Sequence, residues 1–168
     1  MRSVAGLLLA AAAALGETGV SRTGEILRGQ VVVEKGRSAL AAGGETRPFS
    51  DFFLVEREDG TAVWAPDFES RLRAYEILAR RRAREGYVVL ARKAIQARAA
   101  DLARQCFELA ERAGLAGREA DRLVGRIELL ERSGVRPYPA PRAAVAAGME
   151  EVGGSHAALL VEHARGAF

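Results

Sequence analysis

Residues 87–115 read YVVLARKAIQARAADLARQCFELAERAGL, and the spacing of their apolar positions decides the fold class. Tyr87, Leu90, Ala91 and Ala94 recur at helical intervals, as do Ala103, Phe107 and Ala110, with a polar break from Arg98 to Asp101 between the two sets. Two amphipathic helices joined by a tight turn bury such stripes against each other. Ala91 and Ala103 lack bulk, so the backbones can approach toward the short end of the usual ~8–10 Å interaxial range. Tyr87 and Phe107 fill the space outside that contact.

The same register resembles a tetratricopeptide repeat, whose pattern sets an aromatic and a Leu-small pair on the first helix and Ala-x3-Phe on the second. Tyr87 matches the leading aromatic, Leu90 and Ala91 the Leu-small pair, and Ala103, Phe107 and Ala110 the second helix. Ala94 stands where the family usually has Tyr, and Leu115 where it usually has Pro. The match covers one repeat, about residues 84–117. It implies a scaffold whose helices present a groove to a protein or peptide partner, with Arg92, Lys93 and Gln96 on the exposed face as the partner-binding residues.

A chain of 168 residues suffices for one ordinary domain or two small ones. Aromatics are sparse and alanine abundant, which suits close-packed helices. Twenty-three arginines accompany only two lysines, Lys35 and Lys93. A GC-rich genome explains that bias as readily as guanidinium chemistry does, so arginine counts alone carry little weight.

Residues 1–16 have the layout of an export signal: Arg2, an apolar run from Val4 to Leu15, and the small-x-small site Ala14-Leu15-Gly16. The run is shorter than the ~20 residues a membrane span needs, and no Cys follows to take a lipid. Cleavage after Gly16 and export to the periplasm or exterior are expected. The alternative is an uncleaved N-terminal anchor or a buried helix.

Residues 17–24 are expected to form a polar, flexible leader. The period then changes to that of strands. Residues 25–34 are rich in β-branched side chains, Lys35-Gly36-Arg37 reads as a turn into Ser38–Ala42, and Gly43-Gly44 reads as a second. Phe49–Glu56 reads as an apolar strand, turned back by Asp59-Gly60 into Thr61–Ala65. Four or five short strands predict an SH3-like or Sm-like barrel, or a curled antiparallel sheet whose apolar face, Phe49, Phe53, Val55 and Val63, is covered by the helices that follow. Trp64 reads as a structural residue at the seam.

Pro66-Asp67 marks a helix start. Phe68, Leu72, Tyr75, Leu78 and Ala79 form its stripe, and Gly86 is expected to end it. Gly114-Leu115 suits a left-handed cap. From Arg118 a further helix carries Ala120, Leu123, Val124, Ile127 and Leu130, stopped by Ser133-Gly134. Prolines at 137, 139 and 141 predict an extended linker, followed by short helices at Ala143–Glu151 and His156–Ala164 with a break at Gly153-Gly154. The expected organisation is an α+β chain: signal 1–16, β module 17–66, tetratricopeptide-like bundle 67–133, and linker with a C-terminal helix 134–168.

Reactive groups are few. His156 and His163 lie two helical turns apart, too far to share a metal, and the His-x3-His spacing of a helical zinc site is absent. Cys106 falls beside the buried stripe, as a packed thiol would. Asp59 and Asp67 are accounted for by turn and cap chemistry, Asp51 has no partnered base, and no phosphate-cradling Gly-Lys loop is present. No cofactor is implied. The sequence thus points to a non-enzymatic interaction or scaffold protein of the cell envelope with an unidentified protein or peptide partner. The alternative is a basic adaptor that meets an anionic polymer, lipid surface or nucleic acid through Arg80, Arg81, Arg82 and Arg84. Glu76 and Glu85 sit at pairing distance from that run, and without interleaved aromatics nucleic acid is the weakest of these partners.

Overall fold

The computed structural model of the chain describes residues 16–34 and 36–165. The export signal, apart from Gly16, lies outside them. Among the described residues the fold is α+β: six antiparallel strands forming a curled half-barrel sheet are followed by four helices. The chain divides into two units, one ending at Ala74 and the other beginning at Tyr75.

In the first unit β1 is Glu17–Ser21, β2 Ile26–Glu34, β3 Arg37–Ala42, β4 Glu45–Pro48, β5 Phe52–Glu56 and β6 Ala62–Trp64, in the sheet order β4-β3-β2-β1-β5-β6. The expected flexible leader is therefore corrected, because Glu17–Ser21 is a central strand. Thr18 pairs with Arg28 of β2 on one side and with Glu56 of β5 on the other. Ladder bonds on both edges hold this stretch extended, although Gly19 and its polar neighbours show little strand propensity of their own. The Gly43-Gly44 turn has φ of +59° and +86°, the geometry of a two-residue hairpin loop, and admits the unexpected strand β4.

Nine-residue β2 changes partners midway. Residues up to Gly29 pair with β1 and those from Gln30 with β3. A Cβ at Gly29 would fall on the Ala41 carbonyl oxygen, and one at Gly19 would come within 2.6 Å of Leu40 Cδ2 and 2.7 Å of Phe52 Cε1. Both glycines let the sheet fold in on itself. Curling gathers a core of Leu40, Phe49, Phe52 and Val55, flanked by Leu27, Val31, Val63 and Trp64, whose members all come from strands and the turn before β5. Three of the four residues expected on the apolar face, Phe49, Val55 and Val63, belong to this cluster. One aromatic is exchanged: Phe52 is fully buried, whereas Phe53 is half-buried with the Arg22 guanidinium 5.4 Å from its ring. Phe49–Asp51 is a 3-10 turn rather than strand, and from it Phe49 reaches the Trp64 ring at 5.9 Å. Trp64 is thus a packing residue of the sheet.

Helix α1 is Phe68–Gln96, α2 Ala100–Arg112, α3 Arg118–Ser133 and α4 Pro139–Arg165. Asp67 caps α1, its Oδ1 accepting the Ser70 N–H at 2.6 Å, and this bond holds the carboxyl below the usual carboxylate range. The stripe expected to begin with Phe68 and Leu72 begins instead with the small residues Ser70 and Ala74, since both larger side chains are exposed. Gly86 does not end α1, which continues unbroken for another ten residues to Gln96.

In the second unit all seven positions of the Tyr87–Ala110 register are buried in one cluster, with Ala91 and Ala103 wholly inaccessible. The turn between α1 and α2 places Arg98 at φ +56°, with the Ala99 N–H donating to Ala94 O and the Arg98 N–H to Ile95 O. Gly114 and Leu115 close α2 in the same way, and Leu115 is buried as the accompanying apolar contact.

The proline-rich linker and the pair of short helices are corrected together. Pro139 and Pro141 occupy the first turn of α4, where a missing N–H costs no helical bond. The helix then runs through Gly153 and Gly154. Its entry is strapped to the α1–α2 turn: the Tyr138 N–H donates to Ala97 O at 2.9 Å, the Arg98 guanidinium lies 4.9 Å from the Tyr138 ring, and Arg142 donates to both Asp101 oxygens, the longer bond being 2.6 Å.

Two predictions follow from these contacts. Gly29→Ala should destabilise the sheet by about 3 kcal/mol or more, because the opposing atom is backbone and cannot yield; urea unfolding followed by β-sheet circular dichroism measures it. Arg142 holds the Asp101 carboxyl below its usual range. A depressed folded pKa stabilises above the unfolded value, about 3.9, and that contribution is lost as pH falls through the folded pKa. The stability gap between the native chain and Asp101→Asn should therefore be present at pH 7 and close in strong acid.

Candidate binding grooves of the helical unit

Two open grooves flank α1 in the helical unit. The first, about 850 Å³, lies between α1 and α4. Gly86 and Gly148 set its depth. A Cβ on Gly86 would meet Val152 Cγ2 at 3.0 Å, and one on Gly148 would meet Leu90 Cδ2 at 2.7 Å, so each helix lodges an aliphatic side chain over a glycine of the other. The contacts 86 to 152 and 90 to 148 run in opposite directions, and the helices are antiparallel. Ala79, Ala83, Ala144 and Ala147 continue the small-residue floor, while Val89, 48% exposed, stands beside it. Arg82, Lys93, Glu85 and Glu151 supply charges of both signs at the rim. His156 lines the same groove, and its buried Nδ1 has no hydrogen-bond partner among the described residues.

The second groove, about 720 Å³, lies between α1 and α3 and is lined by Arg92, Arg118, Glu119, Arg122, Leu123 and Arg126. Arg92 donates to Glu119 at 2.8 Å.

The residues expected to form one partner surface are therefore divided. Lys93 faces the α1–α4 groove, Arg92 the α1–α3 groove, and Gln96 is exposed but lines neither. In the basic run, Arg80 donates to Glu76 at 2.5 Å, Arg81 to Glu85 at 2.8 Å and Arg84 to the Gly114 carbonyl at 3.5 Å, leaving Arg82 at the rim of the first groove. Such exposed pairs contribute a few tenths of a kcal/mol each and leave less charge to offer a ligand. Sequence spacing missed the α3 arginines, although Arg118, Arg122 and Arg126 stand four residues apart and share one face.

Cys106 is fully buried, and burial pushes its thiol up to about 11, so it stays protonated at neutral pH. The α4 helix carries both histidines, though the His163 side chain lies outside the described set. Among the described residues no group of three His, Cys, Asp or Glu is placed to hold a metal ion. Comparison with protein families, with curated proteins and with solved structures finds no match to this chain.

Proposed function

We propose that this protein is a non-enzymatic interaction module whose helical unit receives an amphipathic segment of a partner protein between α1 and α4. The observation that carries this reading is the small-residue floor from Ala79 to Gly86 and Ala144 to Gly148, which leaves a channel in contact with exposed Val89 and bordered by both signs of charge. An apolar stripe flanked by mixed charges is the complement such a channel fits. The tetratricopeptide-like reading of residues 84–117 accords with it, since the matched positions all lie in the core. The Arg80–Arg84 alternative is weaker, because three of its four side chains are already engaged.

Ala147 is exposed at the groove, so Ala147→Trp should fill the channel without disturbing the core. Partner recovery from source-cell extract should fall at least tenfold, with helical circular dichroism and Tm unchanged. Undiminished recovery would remove this groove from consideration. A homodimer that the substitution converts to monomer in sedimentation velocity would make the occupant a second copy.

Export belongs to the same reading. Cleavage after Gly16 would leave Glu17, the first residue of β1, at the new N-terminus, so every strand is kept. Among the described residues no helix is long and apolar enough to cross a membrane. The intact mass of the protein from source cells should correspond to residues 17–168, whereas a full-length species in the cytosolic fraction would overturn export.

A further inference from the structure

The α1–α3 groove carries a separate inference, independent of the α1–α4 reading. Among the described residues six arginines of the helical unit have an acidic partner: Arg80 with Glu76, Arg81 with Glu85, Arg92 with Glu119, Arg104 with Glu131, Arg132 with Glu128 and Arg142 with Asp101. Arg118, Arg122 and Arg126 differ from these, and from the likewise unpaired Arg82, Arg112 and Arg136, in lining one groove together. They have no ion-pair partner among the described residues, and each is exposed. Their spacing stacks like charges at i and i+4 twice over, an arrangement that destabilises a helix. The nearest groove carboxylate, Glu119, is turned to Arg92. Three exposed, unpaired guanidinium groups therefore stand in a column beside Leu123, and their charge is complementary to a negative ligand.

We infer that this column binds an acidic helical segment of a partner protein. Successive arginines are about 6 Å apart along the axis, and a helix with Asp or Glu at every fourth residue repeats at the same ~6 Å. Arg92 with Glu119 already shows a carboxylate seated in the groove. Guanidinium forks match carboxylates in pairs of parallel bonds. Single-stranded nucleic acid is disfavoured because no aromatic side chain lines the groove to stack a base. A flat anionic membrane is disfavoured because the cations line a concavity.

The test uses the full chain and a synthetic fluorescent helical peptide with Glu at four-residue intervals, read by anisotropy at low and moderate salt. Binding should weaken as salt rises. Arg122→Gln should reduce affinity at least tenfold while Tm stays level or rises, because the substitution relieves both like-charge contacts. Arg80→Gln should leave binding unchanged. A composition-matched peptide with scrambled Glu positions should bind several-fold more weakly. The proposal is overturned by absence of binding at low salt, by equal affinity of the Arg122→Gln chain, or by tighter binding to a single-stranded oligonucleotide or to vesicles containing anionic lipid. Ala147→Trp, in the other groove, should not alter this binding, so the two readings fail separately.

Discussion

Two missing side chains hold the helical unit in its arrangement. At Gly86 and Gly148 the helices α1 and α4 approach so closely that a methyl group on either would press on Val152 or Leu90. Close approach lets those aliphatic groups interlock, and it brings Val145 into the core built by Ala91, Ala94, Ala103 and Phe107. It also makes the neighbouring surface a channel: with larger residues the helices would stand apart and the alanine floor would be covered by its own side chains. Glycine in a helix interior costs about 0.5–1 kcal/mol relative to alanine. Here that cost is set against the close packing of Val152 over Gly86 and of Leu90 over Gly148.

Polar contacts then fix what the apolar ones leave free. Tyr138, Arg98, Asp101 and Arg142 tie the start of α4 to the turn between α1 and α2. Arg104 with Glu131 adds a bidentate tie from α2 to α3. These bonds are exposed and individually modest. Their effect is to fix register, because sliding α4 by one turn would break the strap and set Val152 against a side chain instead of Gly86.

Much of this was legible in the sequence, and the exceptions share a cause. The α2 and α3 stripes, the Gly114 cap, the Gly-Gly hairpin and the Asp67 start follow from local periodicity and local hydrogen bonding, and they are present. The strand at Glu17–Ser21 and the helical Gly86 are not legible locally because each depends on a partner distant in the chain, β5 for the strand and Val152 of α4 for the glycine. Pro139 and Pro141 have the composition of an extended linker yet lie in a first helical turn, which tolerates them. In the grooves, Arg92 and Lys93 are neighbours in sequence and face different channels, as adjacent helical residues do. The Arg118–Arg126 column has a readable signal in its four-residue spacing, masked by the abundance of arginine along the whole chain.

The position of β1 has a consequence for how the molecule is made. The first strand among the described residues is an inner strand of the sheet, and its Thr18 waits for Glu56 to become available. Until β5 has been synthesised, β1 exposes one unpaired edge, and non-local pairing of this kind is slow. The contacts within α2 and α3, by contrast, are close along the chain and form rapidly once translated. Although the strands leave the ribosome first, the sheet need not lead the assembly. A holding chaperone would therefore do most good while residues 17–56 are emerging.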